Sequence, residues 1–214
     1  MSRDTFEKLP PEKKEKILST GIRMFSGKAY PDVSTESITK TCGISKGILF
    51  HYFGSKKKFY LYCLEKAMDR LTRKEEDAGG EDFCGILFSE MNRKMALCRE
   101  YRDETHLVNM AARDGSAEIA AEKAELLGKY AAGIRAESAR TIRRALAALT
   151  LRDESGRRTA EEGMLIYTNA VLNRYLLQYR QDPDRFFEDA EKIREEMKEY
   201  LDLMLYGIYE RERT

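Results

Sequence analysis

Tryptophan is absent, histidine occurs only as His51 and His106, and there are four prolines in 214 residues. So few prolines leave long stretches free to run as unbroken helix. Four cysteines stand at positions 42, 63, 84 and 98, with no CxxC pair among them. Closely spaced zinc ligands are therefore missing, and no metal or other cofactor is expected. Four reduced thiols in a reducing compartment are the simplest reading, with Cys63 and Cys98 set among apolar neighbours as core residues. No run of about 18 apolar residues occurs, which argues against a transmembrane helix and a membrane partner. The first residues, MSRDTFEKLPPEKKEK, carry charge with no apolar stretch behind it. No secretory leader is expected, and the chain reads as cytoplasmic. A glycine-rich phosphate loop and a G-x-S-x-G elbow are also lacking, which disfavours an enzyme.

What is present is charge and helical periodicity. The composition is 42% hydrophobic and 35% charged, as in a soluble, helix-rich protein. The net charge of +1 hides an asymmetry. Residues 1–75 hold 16 Lys/Arg against 9 Asp/Glu, and the remainder holds 22 against 28. A basic head on an acidic body suggests that the head meets a polyanion, although a basic helix face can equally be solvated.

Pro10 and Pro11 open a helix over 12–27, in which Ile17, Leu18, Gly21, Ile22 and Phe25 recur at helical spacing. Gly21 costs roughly 1 kcal/mol against alanine inside a helix, so its presence points to another helix passing closely. Tyr30–Pro31–Asp32 breaks the pattern. Ser34 then caps a short helix over 35–41, Gly43 turns the chain, and Ser45 caps a second short helix over 46–52. Ser55 caps a longer helix over 55–75. Asp77 to Asp82 reads as a break, followed by helices at 82–98, 101–113, 117–150, 159–180 and 184–210, with no strand-like alternation. Thr159 and Glu162 have the spacing of a capping box for the fourth of these. The fold class expected is all-α, with about nine helices in two domains, 1–76 and 77–214.

Two helices this short need a shared core. Ile38, Ile44, Leu49 and Phe53 are spaced to form one against Leu18, Ile22 and Phe25. That leaves Ser45, Lys46, Gly47, Ile48, Phe50, His51 and Tyr52 at or near the surface. Small and basic residues at a helix N-terminus suit entry into a DNA major groove, and exposed aromatics suit a partner. Patterning alone also allows a generic three-helix core with Phe50 and Tyr52 packed on a neighbour.

Residues 11–60 resemble the DNA-binding domain of the TetR family of bacterial transcriptional repressors. Ile17–Leu18 and Met24–Phe25 are similar to that family's first helix. Ser34, Ile38 and the run Cys42–Gly43–Ile44–Ser45–Lys46–Gly47–Ile48–Leu49–Phe50–His51–Tyr52–Phe53–Gly54–Ser55–Lys56 are similar to its helix-turn-helix signature. The resemblance implies a three-helix helix-turn-helix head on a larger helical body that binds a ligand and dimerises. It implies DNA contacts from Ser34, Thr35, Ser45, Lys46, Gly47, Ile48, Phe50, His51, Tyr52 and Lys56. Lys46 would reach a phosphate or base edge, and Lys56 would anchor a phosphate. Ile48 stands where the family often has threonine or serine; it can touch a thymine methyl but donates no hydrogen bond. Phe50 departs from the usual tyrosine and cannot reach a phosphate with a hydroxyl. Cys42 stands in place of a small alanine.

The resemblance further implies a homodimer on a palindromic operator, released by a small effector. Candidate lining residues are Cys98, His106, Asn109, Met110, Arg113, Tyr130, Tyr167, Asn169, Asn173 and Tyr175. Asn169 and Asn173, four apart, share a helix face that could orient a ligand, face solvent or meet a second chain. Arg113 is the one obvious counter-charge, so a largely apolar ligand is expected. Met197, Leu201, Met204, Leu205 and Ile208 form an apolar stripe expected at the dimer interface. An effector-independent, architectural DNA-binding protein is the alternative.

Overall fold

The computed structural model describes residues 3–73, 79–150, 154–179 and 182–207. Among these, eleven α-helices and two short 3-10 turns are present and strands are absent, so the fold is all-α as expected. The helices are α1 (Arg3–Glu7), α2 (Pro11–Ser26), α3 (Thr35–Cys42), α4 (Lys46–Phe53), α5 (Lys56–Leu71), α6 (Phe83–Glu100), α7 (Arg102–Arg113), α8 (Ala120–Ala147), α9 (Arg157–Gln178), α10 (Pro183–Glu188) and α11 (Ala190–Tyr206). By internal contacts the chain forms two compact units, Met1–Lys74 with Ala96–Ile134 and Glu75–Met95 with Arg135–Thr214.

The first unit is built around α2 and α5. Ile17, Ile22 and Phe25 of α2 and Phe59, Cys63 and Leu64 of α5 are fully or almost fully buried. Gly21 makes this packing possible. A Cβ there would fall 2.5 Å from Phe59 Cζ and 2.7 Å from Cys63 Sγ, so α5 does pass closely. Helix α7 closes the core with Leu107 and Ala111, which explains why 96–134 groups with the N-terminal helices. Arg70 of α5 ties the three together. Its guanidinium donates to both carboxylate oxygens of Glu15 on α2, at 2.8 and 2.6 Å, and to the buried Glu104 of α7. The Tyr30 turn is pinned to the same frame. Its N–H donates to Asp114 at 2.7 Å and its hydroxyl to Glu118 at 2.6 Å, which fixes where α3 begins.

Helix α1 was not expected from sequence. Its five residues carry no periodic signal, and a helix so short is held only by packing. Phe6 supplies that packing, fully buried among Phe53, Tyr62 and Tyr52 at centroid distances of 4.8, 5.5 and 5.6 Å. The Tyr62 hydroxyl donates to Glu7 at 2.7 Å and Lys14 pairs with the same carboxylate at 3.2 Å.

In the second unit the start of α6, the end of α8, α9 and α11 surround Phe83, Ile86, Ile142, Leu146, Met164 and Leu201. A neighbouring cluster holds Tyr175, Tyr179, Ile193 and Met197. Two expectations fail here. Helix α9 starts at Arg157 with Gly156 at its N-cap and no side-chain cap. Thr159 therefore lies inside it, and Glu162 pairs with Arg158 at 3.2 Å instead of closing a capping box. The single helix expected over 184–210 is two, interrupted at Asp189. There the carboxylate accepts the Tyr179 hydroxyl at 2.7 Å, a tertiary bond that periodicity does not encode.

Candidate nucleic-acid interface

Helices α3 and α4, eight residues each, are closed at both ends by local hydrogen bonds. Ser34 accepts from the N–H groups of Glu36 and Ser37 at 3.2 and 3.4 Å, so it is the N-cap of α3. Gly43 ends α3 in the left-handed region, φ 71° and ψ 34°. The N–H of Gly43 then reaches Lys40 O at 3.3 Å and that of Ile44 reaches Thr39 O at 3.0 Å. This paired closure reverses the chain within two residues, a turn that favours glycine. Ser45 caps α4 by accepting from Ile48 N–H at 3.2 Å, and Ser55 caps α5 by accepting from Lys58 N–H at 3.1 Å.

Ile38, Leu49 and Phe53 bury the inner faces of the two helices in the first unit's core, with Ile44 packed at its edge. On the opposite side Ser45, Lys46, Gly47, Ile48 and His51 are exposed and Phe50 is half-buried. A Cβ at Gly47 would meet nothing closer than Ser45 Oγ at 3.8 Å, so the first turn of α4 is open to a close neighbour. Ser34 is exposed and Thr35 half-buried at the start of α3.

Tyr52 departs from its expected place. It is 9% exposed, because α1 covers it and Phe6 packs edge-on against its ring. The residue that sequence reasoning missed is therefore Phe6, which braces α4 from behind through Tyr52 and Phe53. The only sequence signal for it was an apolar residue among charges, ahead of the proline pair.

Two lysines of the interface already have partners. Lys46 pairs with Glu36 of α3 at 2.8 Å, across an exposed surface, and that bond holds the Glu36 carboxyl below its usual range. Lys56 donates to Pro31 O at 3.2 Å and stands 4.4 Å above the Tyr30 ring. Partial burial lowers the pKa of its ammonium, against the pull of Glu118 and Asp32. Cys42 is buried, and burial pushes its thiol up, away from the reactive thiolate.

The ten ligand candidates divide between the units: Cys98, His106, Asn109, Met110, Arg113 and Tyr130 in the first, Tyr167, Asn169, Asn173 and Tyr175 in the second. Asn169 and Asn173 are exposed, whereas Tyr175 is buried and donates to Glu196 at 2.8 Å. Tyr167 donates to Tyr200 O at 2.9 Å, and Tyr130 donates to Asp69. A groove in the first unit, beside α4, α5 and α8, and a cavity in the second are lined by other residues. Of the apolar stripe on α11, Met197 and Leu201 lie in the core of their own chain. Met204 and Leu205 pack at its margin, and Ile208 falls outside the described residues. Among the described residues, the large apolar groups left exposed are Ile48 and Ile134 in the first unit, and Ile166 (72%), Leu172 (36%), Leu177 (69%), Leu203 (42%) and Tyr206 (81%) in the second.

Two capped helices joined by a left-handed glycine, with the second presenting its N-terminal end, constitute a helix-turn-helix of the DNA-reading type. Residues 17–63 match the family model described as bacterial regulatory proteins, tetR family, so this helix-turn-helix segment is similar to that of the TetR-family regulators. The uncharacterised HTH-type transcriptional regulator YerO of Bacillus subtilis (strain 168) is 31% identical over 96 residues, 43% of this chain and 33% of that protein. The biofilm operon icaADBC HTH-type negative transcriptional regulator IcaR of Staphylococcus aureus (strain Newman) is 34% identical over 59 residues, 28% of this chain and 32% of that one. The match thus spans about a third of the length of these curated relatives. A crystal structure of a TetR family transcriptional regulator from Chloroflexus aurantiacus J-10-FL shares the fold over 97% of this chain and 98% of its own, with a TM-score of 0.59 at 20% identity.

Proposed function

We propose that this chain is a transcriptional repressor that binds a palindromic operator as a homodimer and is released by a small, largely apolar molecule. Residues 1–76 form the DNA-binding domain in this reading, and 77–214 the effector and dimerisation domain. The observation that carries it is the open first turn of α4: Ser45, Lys46, Gly47 and Ile48 exposed on a helix whose inner face is fixed in a core. Lys46 exchanges Glu36 for a phosphate or a base edge. Gly47 lets the groove approach, Ile48 meets a thymine methyl, and His51 contacts backbone or base. Ser34, Thr35 and Lys56 take phosphates, with Lys56 leaving Pro31 to do so. Phe50 offers apolar contact, and Tyr52 supports the helix from behind. The Staphylococcus aureus relative's description as a negative regulator favours repression over activation.

The dimer face in this reading uses the exposed groups of α9 and α11 together with the half-buried Met204 and Leu205 of the expected stripe, while Met197 and Leu201 stay in the chain's own core. Ile166, Ala170, Asn173 and Leu177 recur at helical spacing along α9, and Leu203 and Tyr206 stand exposed on α11. Release requires a ligand that prefers the state in which the two recognition helices lose their one-turn spacing. A tenfold loss of operator affinity needs about 1.4 kcal/mol of coupling, and operator DNA must then weaken the ligand by the same factor.

Gly47→Glu tests the interface. The open space at Gly47 accepts the side chain, and a carboxylate in a helix's first turn suits its dipole. Melting should be unchanged while duplex binding, read by fluorescence anisotropy, is abolished by repulsion from phosphate. Unchanged DNA affinity would remove α4 from the interface.

A further inference from the structure

A carboxylate stands on the face assigned to DNA. Glu36, in the first turn of α3, is exposed, and its Oε1 accepts from Lys46 Nζ of α4 at 2.8 Å. Its Oε2 accepts from the Ser34 hydroxyl at 3.3 Å. Both donors are groups that the proposed function gives to DNA. An exposed ion pair of this kind adds little to folding stability, and a negative charge on such a face is repelled by phosphate.

The pair is matched to one base pair. In the major groove a G·C pair presents guanine O6, an acceptor, beside the cytosine N4 amino group, a donor. Those two atoms are hydrogen-bonded to each other, so they lie about 2.9 Å apart. Lys46 Nζ and Glu36 Oε1 present a donor beside an acceptor at 2.8 Å, the complementary edge at the same spacing. Lys46 turns to guanine O6 and N7, and Glu36 accepts the cytosine N4 hydrogen that base pairing leaves free. An A·T pair also sets a donor beside an acceptor, but its acceptor, thymine O4, is flanked by the C5 methyl group. Guanine instead supplies N7 beside O6, which takes another of the ammonium hydrogens.

The same arrangement acts against other DNA. Away from such a G·C pair Glu36 finds no amino group, repels phosphate and keeps Lys46 for itself. Specificity is a difference of affinities, and a group that weakens the wrong complex raises it as surely as one that strengthens the right one.

We propose that Glu36 is a specificity-determining residue that reads, with Lys46, one G·C pair in each half-site: Lys46 on the guanine, Glu36 on the cytosine amino group. This rests on the operator-binding reading above and adds to it the base pair that is read.

The test takes the duplex that the wild-type protein selects from a random pool and replaces each base pair in turn. Binding is read by fluorescence anisotropy at fixed salt, and a scrambled duplex of equal length reports non-operator binding. Glu36→Ala and Lys46→Met both alter exposed side chains, so melting should be unchanged. At one G·C pair per half-site, exchange to A·T should cost the wild type about tenfold and either variant less than about twofold. Glu36→Ala should also bind the scrambled duplex about threefold more tightly, because Lys46 is freed and a negative charge removed. A G·C preference that survives Glu36→Ala at every position would overturn the proposal. So would a preference lost at a position that Lys46→Met leaves untouched, or unchanged or weaker binding of the scrambled duplex by Glu36→Ala. Failure of the wild type to select any duplex is a different result: it refutes the operator reading, and this proposal with it.

Discussion

Phe6→Ala probes the brace behind the recognition helix. The ring is wholly buried, with Phe53, Tyr62 and Tyr52 at 4.8, 5.5 and 5.6 Å, and it is the one large apolar group that α1 contributes. Truncating a buried phenylalanine costs about 3–5 kcal/mol where the surrounding chain is held in place and a cavity remains. Helix α1 is five residues long and can detach instead. Detachment caps the loss near the transfer free energy of one phenylalanine side chain, about 2–3 kcal/mol. That is a large share of the roughly 5–15 kcal/mol typical of a domain. Urea unfolding should give this loss, and hydrogen exchange should place it: protection falls in α4 and α5 and is kept in α9 and α11. DNA affinity should fall too, since Tyr52 loses its backing. A loss below about 0.5 kcal/mol, or protection lost first in α9 and α11, would refute the bracing role.

The same brace is sensitive to acid. The Tyr62 hydroxyl holds the Glu7 carboxyl below the usual glutamate range, helped by Lys14 and opposed by burial. A depressed folded value contributes stability that is present above the unfolded value, about 4.3, and lost as pH falls through the folded one. Glu7→Gln should flatten that part of the acid limb in melting temperature against pH; an unchanged limb contradicts the assignment. On the dimer face, Ile166→Glu should give folded monomers by sedimentation. Leu201→Glu should instead unfold the chain, because it puts a carboxylate in the chain's own core; a folded monomer from Leu201→Glu would return α11's buried stripe to the interface.

What was legible in the sequence follows from the range of the interactions involved. Ser34, Ser45 and Ser55 cap α3, α4 and α5 because capping is a contact over two or three residues, and sequence spacing states it directly. Gly43 and Gly21 were readable for a similar reason: each breaks a local preference, and the structure supplies the left-handed turn and the passing helix that compensate. The failures are tertiary. Helix α1 exists through Phe6's contacts with residues about fifty positions away, so no local pattern marks it. The interruption at Asp189 depends on Tyr179. On α11 the sequence showed an apolar stripe correctly, but periodicity cannot say whether such a stripe faces its own chain or another, and Met197 and Leu201 face their own. The ligand candidates are mostly polar or aromatic residues within apolar segments, and such a pattern does not distinguish a ligand contact from an internal bond. Tyr167 and Tyr175 donate to Tyr200 O and Glu196, partners 33 and 21 residues away that no local pattern states.

The central claim is that two α4 helices read one palindrome, and selection of bound duplexes from a random pool at fixed salt tests it most directly. The account predicts enrichment of an inverted repeat whose half-site centres lie about one helical turn of DNA apart, or a multiple of it, with Gly47→Glu enriching nothing. Enrichment of no sequence, or of a single unpaired half-site by the wild-type protein, would contradict it.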